Sequence, residues 1–244
     1  MSHHRFMRRA AKGLLFSSIA FSASSYASSY YNCANATGCV AVTSLSATSN
    51  FAKTKYPIVL AHGLGGWSKM FGLVDYFNGI PQDLTKNGAS VYVTKTSSVN
   101  DTEVRGEQLL QQVKTIIAIT GSPKVNLIGH SHGGIDIRYV AGVAPSLVSS
   151  VTAISSPEQG SKMADWTVKM VTEGSAADGL PAGEFNTASL MAIKFFELVG
   201  GVMDIGSGVP LNQLQQQDGW AAVNSLTTNY AAKFNQKFPA AMPT

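Results

Sequence analysis

One five-residue motif, Gly-His-Ser-His-Gly at residues 129–133, constrains this chain more than any other feature of its sequence. It has the pattern G-x-S-x-G and directly follows an apolar run, Val-Asn-Leu-Ile at residues 125–128. In that setting the motif predicts a sharp turn from a buried strand into a helix, which raises a serine hydroxyl above the end of a sheet. The alternative is an ordinary serine in a strand–helix turn, but the flanking patterns favour a nucleophile. The sequence therefore predicts that Ser131 is a catalytic nucleophile.

Apolar runs alternate with helical patterns along the middle of the chain. The runs that predict buried strands span residues 56–61, 89–94, 124–128 and 148–154. The patterns that predict helices span residues 82–86, 101–120 and 135–143. Strands that alternate with helices form a mostly parallel sheet, because each crossover helix packs against a face of that sheet. The sequence therefore predicts an α/β fold.

The regions on either side of this alternation are less regular. Residues 28–52 are rich in serine, alanine, threonine and asparagine, and we predict an irregular segment there. Residues 162–205 have helical apolar runs without a clear strand, and residues 208–238 form a more polar helical region. The helix predicted over residues 101–120 has an apolar face made of Val104, Leu109, Val113, Ile116, Ile117 and Ile119.

A glycine-rich turn, His-Gly-Leu-Gly-Gly at residues 62–66, follows the first predicted strand. In proteins with a serine turn of this kind, one N–H group from such a loop and another from the residue after the serine stabilise an oxyanion. The predicted donors are the backbone N–H groups of Leu64 and His132. Fixed donors contribute about 2.7–4 kcal/mol each. The alternative, a turn that serves packing alone, is less favoured because the serine motif accompanies it.

A serine nucleophile also needs an acid and a histidine base, which follow the serine in proteins with this motif. No histidine lies after His132. We expect His132 to donate its backbone N–H, and His130 and His62 to pack and hydrogen-bond, rather than any of them to act as the base. The histidines are His3, His4, His62, His130 and His132. The candidate acids, none of which ends an apolar strand, are Asp136, Asp165, Asp178, Asp204 and Asp218. No triad acid or base is assigned, and without a base kcat is expected to be about 10⁶ lower.

The N-terminus has the features of a secretory signal peptide. Four of the 18 basic residues lie between Arg5 and Lys12, ahead of an apolar stretch, and small residues favour cleavage after Ala27. The apolar stretch is too short and too rich in serine for the alternative, a membrane anchor. Without residues 1–27 the formal charge of +4 falls to zero, so nothing electrostatic favours nucleic-acid binding. We therefore expect a secreted protein.

The two cysteines, Cys33 and Cys39, flank a turn-forming stretch. In an exported protein we favour a disulfide between them over two free thiols. No histidine or carboxylate lies beside them to suggest zinc. We therefore expect the pair to staple the chain locally rather than take part in chemistry.

Several stretches of the chain closely resemble the secreted Pseudomonas-type bacterial triacylglycerol lipases. The resemblance extends over roughly residues 56–244, and its motifs are long and collinear with those of the family. They lie at residues 56–63, 88–94, 105–109, 125–134, 138–140 and 231–235.

The resemblance implies an α/β-hydrolase fold with a mostly parallel sheet and a helical lid at about residues 174–197. It implies that Ser131 forms an acyl-enzyme with triacylglycerol esters at an oil–water interface, and that Leu64 and His132 form the oxyanion hole. It also implies export through the periplasm with the help of a dedicated lipase foldase.

The stretch from Leu190 to Met203 is apolar, relieved mainly by Lys194 and Glu197. Such a helix needs more than one apolar surface to cover it. A lid that packs down in water and opens at a lipid interface would meet that need. An ordinary buried core helix is an equally good interpretation of the same pattern.

The resemblance also implies features that have no match here. In that family the chain continues past the segment that matches residues 239–244, and it supplies further strands, the acid, the histidine, a structural calcium site and a disulfide. We therefore expect residues 28–244 to be a lipase domain that is incomplete at its C-terminus, with no cofactor or metal of its own. An unpaired strand near residues 148–154 leads us to expect poor folding of this chain alone.

Two other functions stay open on the sequence. One is a catalytically dead fragment that acts at most as a lipid- or foldase-binding remnant, through the apolar stretch at residues 190–205. The other is an esterase or acyltransferase for soluble substrates.

Overall fold

The computed structural model describes residues 27–35, 38–173 and 187–239. The strands are β1 (Ala27–Asn35), β2 (Gly38–Ser46), β3 (Ile58–Ala61), β4 (Lys69–Met70), β5 (Val74–Asp75), β6 (Val91–Thr94), β7 (Val125–His130) and β8 (Val148–Ile154). Six of them form one sheet in the order β2-β1-β6-β3-β7-β8, and β4 pairs with β5. Within the large sheet only β1 and β2 are antiparallel, so the predicted, mostly parallel α/β architecture is confirmed.

Helices connect the parallel strands and cover the sheet. They are α1 (Ile80–Lys86), α2 (Thr102–Thr120), α3 (His132–Val143), α4 (Lys162–Glu173), α5 (Thr187–Gly206), α6 (Gly219–Asn224) and α7 (Thr228–Lys237). In the described part of the chain, no helix has both the length and the apolarity that a bilayer crossing requires.

The longest crossover helix, α2, begins and ends at the residues that its sequence indicates. The Asp101 carboxylate accepts a hydrogen bond from the Val104 N–H at 2.8 Å, and Gly121 adopts a positive φ of 65° directly after the helix. Leu109 and Ile116 are buried as predicted, but Val104 and Ile119 are exposed. The prediction was wrong for these two because the packed face of α2 is narrower than the apolar stripe in its sequence.

The core lies on both faces of the central strands. Val59 and Leu127 point to the face covered by α2 and α3, and Ile58 and Leu60 point to the other face. Successive strand residues alternate between faces, and all four residues of β3 and of β6 are buried. Because β3, β6 and β7 are parallel, their carboxyl ends meet at one edge of the sheet, where the loops that carry the candidate site begin.

The N-terminal segment is a β-hairpin, so the prediction of an irregular region over residues 28–52 was wrong for β1 and β2, whereas residues 47–52 are irregular as predicted. β1 pairs in parallel with β6, and Tyr31 stacks on Tyr92 with ring centroids 4.9 Å apart. This pairing with a strand far along the chain overrides a composition of weak strand propensity. The predicted disulfide between Cys33 and Cys39 is confirmed. The signal peptide itself lies outside the described residues, apart from Ala27.

Candidate active site

Ser131 occupies the turn between β7 and α3. Its backbone has φ 56° and ψ −127°, a conformation that residues with a side chain rarely adopt. Its N–H donates to the Ile154 carbonyl of β8 at 2.9 Å, and its carbonyl accepts from the Gly134 N–H at 3.0 Å. Backbone strain of this kind costs about 1–3 kcal/mol and persists only where the surroundings hold it. The partly exposed serine thus lies in a sharp turn that packing fixes.

Two glycines make the turn possible. A Cβ atom added to Gly129 would lie 2.2 Å from the Gly133 carbonyl oxygen, and one added to Gly133 would lie 2.4 Å from the Ala61 carbonyl oxygen. Both contacts involve backbone atoms, which have little freedom to move away. Strand β7, helix α3 and the end of β3 therefore approach each other as closely as only glycine allows.

The turn at residues 63–66 lies directly against Ser131. A Cβ atom on Gly63 would be 2.8 Å from the Cβ of Ser131. The Gly66 N–H donates to the Gly63 carbonyl at 3.1 Å, and the Gly65 N–H donates to the Ser98 carbonyl at 2.7 Å. Hydrogen bonds within the turn and to a neighbouring loop therefore fix its shape beside the serine.

The two N–H groups predicted to bind an oxyanion belong to Leu64 and His132. Leu64 is in the turn beside Ser131, and His132 is the first residue of α3. Neither N–H donates to any residue that the structure describes. N–H groups in the first turn of a helix have no partner within that helix, which suits the binding of a negative oxygen. Their roles in catalysis remain predictions.

The three described histidines have partners other than Ser131. His130 Nδ1 is 2.6 Å from the Tyr76 hydroxyl, and His132 Nε2 is 2.8 Å from the Thr102 hydroxyl. His62 Nδ1 donates to the Gly63 carbonyl at 2.8 Å, since His62 Nε2 accepts from a backbone N–H at 3.2 Å. Within the described residues none of the three hydrogen-bonds to the serine hydroxyl. No proton acceptor for Ser131 is therefore in place among the hydrogen bonds of the described residues.

Burial keeps two of these histidines neutral. It lowers the pKa of His62 well below its ordinary value, and the positive charges of Lys95 and Arg105 lower it further. Burial also lowers the pKa of His132, again with a contribution from Arg105. A neutral His62 ring, protonated on Nδ1, can make both of the hydrogen bonds described above. The charged form would lose the one that Nε2 accepts.

Arg105, on α2, joins α3, the end of β3 and the loop after β6 through the hydrogen bonds of its side chain. Its Nε and Nη2 atoms donate to the Asp136 carboxylate of α3 at 3.0 and 2.7 Å. Nη2 also donates to the His62 carbonyl at 2.8 Å, and Nη1 donates to the Ser97 carbonyl. The side chains of Arg105 and Asp136 are fully buried. This role of Arg105 was not predicted from the sequence, although an arginine beside the apolar face of α2 is a signal for a buried partner.

The described candidate acids have structural partners. Asp136 pairs with Arg105, and Asp165 accepts two hydrogen bonds from Thr228 at 2.8 Å. Asp218 caps α6 through the Ala221 N–H at 2.9 Å. Asp204 pairs with Lys95, and Asp178 lies outside the described residues. Across residues 27–35, 38–173 and 187–239, no cluster of His, Cys, Asp and Glu has the composition of a metal site.

An apolar cavity of about 460 Å³ opens beside the Leu64 turn. Helices α4, α5 and α6 form most of its wall. The lining residues are Leu64, Gly65, Val99, Trp166, Thr167, Met170, Val171, Ala192, Ile193, Phe196, Gly219, Ala222 and Val223. A cavity of this size and polarity suits a hydrocarbon chain, and it begins at a residue predicted to bind the oxyanion.

Helix α5 covers this cavity but leaves much apolar surface in solvent. Ile193 and Phe196 line the cavity, whereas Met191, Phe195 and Leu198 are each more than 60% exposed. The helix is therefore not a buried core helix, which was one of the two interpretations of its sequence. Residues 174–186 of the predicted lid lie outside the described residues, and lid movement stays a prediction.

A profile of the alpha/beta hydrolase fold family matches residues 56–239, which include the serine turn and the Leu64 turn. The chain belongs to this family. In alpha/beta hydrolases a serine in such a strand–turn–helix arrangement is the nucleophile. The family assignment therefore agrees with the sheet order and with the conformation of Ser131.

Several bacterial triacylglycerol lipases are similar in sequence to this alpha/beta hydrolase. Identity is 46% over 194 residues for a triacylglycerol lipase of Vibrio cholerae, covering 80% of this chain and 57% of the relative. A triacylglycerol lipase of Burkholderia plantarii is 41% identical, over 80% of this chain and 51% of the relative. One of Pseudomonas fragi is 40% identical, over 78% of this chain and 60% of the relative. The predicted resemblance to bacterial triacylglycerol lipases is confirmed. The chain spans between about half and three-fifths of these relatives.

Among solved structures, the mature Bacillus licheniformis lipase BlEst2 is similar, with a TM-score of 0.50 and 23% identity. The alignment covers 79% of this chain and 62% of that protein. At this identity the similarity shows the fold alone.

Proposed function

We propose that this alpha/beta hydrolase is a secreted lipase or esterase that hydrolyses the carboxylic esters of triacylglycerols through an acyl-enzyme on Ser131. The observation that carries the proposal is the strained serine turn packed against the Leu64 turn, with an apolar cavity beside it. The names of the similar bacterial lipases support a lipid ester as substrate.

In the proposed reaction the Ser131 oxygen attacks the ester carbonyl carbon and the proton of its hydroxyl passes to a base. The carbonyl oxygen becomes an oxyanion that the N–H groups of Leu64 and His132 stabilise. Collapse of this tetrahedral intermediate releases the alcohol, which takes up the proton, and leaves an acyl-serine that water then hydrolyses. The cavity beside Leu64 would hold the acyl chain.

We propose that the base lies outside the described site, because each of the three described histidines is hydrogen-bonded to another group. We further propose that a lipase foldase assists folding and that the protein is exported through the periplasm. The apolar residues of α5, which face solvent, support contact with a lipid surface.

Hydrolysis of emulsified triolein and of soluble p-nitrophenyl butyrate tests this function. The rates are compared between the whole protein, with the base that the reaction requires, and its Ser131→Ala variant. We expect hydrolysis that depends on Ser131, with a higher rate on the emulsion than on the soluble ester. Mass spectrometry after reaction with a fluorophosphonate should find the adduct on Ser131. Equal rates in the two proteins, or an adduct on another residue, would refute the assignment.

The same experiment separates the two alternatives. A remnant that only binds lipid would bind triolein emulsion without any turnover dependent on Ser131. An esterase for soluble substrates would depend on Ser131 but would show no increase in rate above the solubility limit of the ester.

A further inference from the structure

A buried ion pair joins α5 to the sheet beside the Leu64 turn. Lys95 directly follows β6, and Asp204 lies in the last turn of α5. The Lys95 Nζ and Asp204 Oδ1 atoms are 2.5 Å apart, and both side chains are fully buried. Neither residue belongs to the proposed reaction, so the pair has no role in the chemistry described above.

The Lys95 ammonium group also holds the loop that supports the Leu64 turn. It donates to the Ser98 hydroxyl oxygen at 3.1 Å and to the Thr96 carbonyl. The Ser98 hydroxyl in turn donates to the Gly66 carbonyl at 2.7 Å, and the Ser98 carbonyl accepts from the Gly65 N–H at 2.7 Å. A continuous path of hydrogen bonds therefore runs from α5 to both glycines that follow Leu64.

The second oxygen of Asp204 is held by the segment after α5. It accepts from the Gln215 N–H at 3.1 Å and from Gln217 Nε2 at 2.9 Å. The Gln217 side-chain oxygen accepts from the Val99 N–H at 2.8 Å. Asp204 is thus linked to both ends of the loop at residues 95–99. The three ammonium protons and both carboxylate oxygens have partners, as a buried charge pair requires.

The two halves of α5 differ in how they are attached. Near its end, Asp204 is buried and the Gly206 carbonyl accepts from the Phe71 N–H at 2.6 Å. In its first half, Met191 and Phe195 are mostly exposed. Lys194 is exposed and pairs with Glu197 in the middle of the helix, where Glu197 also accepts from the Gly219 N–H of α6 at 3.3 Å. The ion pair with Lys95 therefore fixes one end of the helix that covers the cavity.

We propose that Lys95 and Asp204 are positioning residues that hold the Leu64 N–H in place and couple it to the position of α5. The proposal rests on the proposed function of Leu64 as an oxyanion donor. Charged hydrogen bonds are directional, so the three Lys95 donors fix where their acceptors lie, which apolar packing in the same place would not do. A shift of the end of α5 would move Lys95 and Ser98, and with them the Gly65–Gly66 part of the turn.

Amide hydrogen exchange measures this coupling without any need for activity. The Gly65 and Gly66 amides are hydrogen-bonded, so their exchange reports opening of the turn. In Asp204→Asn we expect exchange in the peptide at residues 62–67 and at the end of α5 to rise at least about tenfold. Exchange in β7 should not change. Lys194→Gln, which breaks the exposed pair on the same helix, is the matched control and should leave both segments unchanged.

Two further variants separate positioning from general stability. Ser98→Ala removes only the bridge between the ammonium group and Gly66, so exchange should rise in the Leu64 turn and not in α5. Lys95→Met with Asp204→Leu replaces the pair by apolar groups, which often restores stability. In that double variant the Leu64 turn should still exchange faster than in the wild type. The proposal would be overturned if the Leu64 turn exchanged at the wild-type rate in Asp204→Asn, Ser98→Ala and the double variant. It would also be overturned if the exchange rate rose as much in β7 as in the Leu64 turn.

Steady-state kinetics on p-nitrophenyl butyrate provide a second readout. A misplacement of about 1 Å in a catalytic group can lower the rate by about 10²-fold. We expect kcat of the double variant to fall by up to that factor with little change in KM. If the whole protein, with the base that the reaction requires, shows no hydrolytic activity, the proposed function is refuted, and hydrogen exchange alone decides the coupling.

Discussion

The serine turn packs against the Leu64 turn at the edge of the cavity, whereas helix α5 covers that cavity, and the two are held in different ways. At the turn, backbone atoms of β3, β7 and α3 approach so closely that Gly129 and Gly133 leave no room for a Cβ atom. In α5, Gly201 has open space around it, and several apolar side chains of the helix face solvent. Close backbone packing therefore fixes the geometry of Ser131, whereas α5, the helix that covers the cavity, is held mainly near its C-terminal end.

The largest loss of stability should follow substitution of Arg105, whose side chain joins the elements around the serine turn. Arg105→Met leaves the Asp136 carboxylate buried without its partner, which costs about 3–5 kcal/mol. Urea denaturation measures the loss, and Arg105→Met combined with Asp136→Leu is the control. If the double variant is as unstable as the single one, the unpaired charge is not the cause.

Gly129→Ala should cost nearly as much. The new Cβ would meet the Gly133 carbonyl oxygen, so the backbone of the turn must move, at a cost of about 3 kcal/mol. The free energy of unfolding and the rate of fluorophosphonate labelling should therefore both fall. A variant with wild-type stability and labelling would show that the turn is less tightly packed than described.

The pH dependence of stability should include a contribution from His62. Its pKa is low in the folded protein, so only the unfolded chain takes up this proton as the pH falls below about 6.5. Stability from this group is complete above that pH and is lost on acidification. In His62→Gln the free energy of unfolding should therefore fall less steeply between pH 6 and 5, by up to about 1.4 kcal/mol per pH unit.

Asp136 contributes to the same pH range with the opposite sign. Burial raises its pKa to about 6, against the lowering effect of Arg105. Because wild type and His62→Gln both retain Asp136, the difference between their melting curves isolates His62. Identical slopes for the two proteins would contradict a neutral, buried His62.

The smallest effect is expected for Gly201→Ala, the same substitution placed in α5. Glycine inside a helix is less stable than alanine by about 0.5–1 kcal/mol, and here nothing blocks the added methyl group. We therefore expect a stabilisation of that size by urea denaturation. Destabilisation would show that this part of the helix is packed against a neighbour, and the contrast with the serine turn would be lost.

The sequence predicted the features that depend on local pattern. The alternation of apolar runs gave the parallel strands, and the residues around Ser131 indicated its turn. The β1–β2 hairpin was missed because β1 depends on pairing with β6, some sixty residues away. The partnerships of Arg105 with Asp136 and of Lys95 with Asp204 were missed for the same reason. Such pairs join helices and loops whose relative positions a single sequence does not specify.

A crystal structure of the phosphonate adduct tests the central claim most directly. We predict a bond between phosphorus and the Ser131 hydroxyl oxygen. We also predict a phosphoryl oxygen at about 2.7–3.1 Å from the backbone nitrogens of both Leu64 and His132. An adduct on a different residue, or a phosphoryl oxygen that points away from these two nitrogens, would contradict the account.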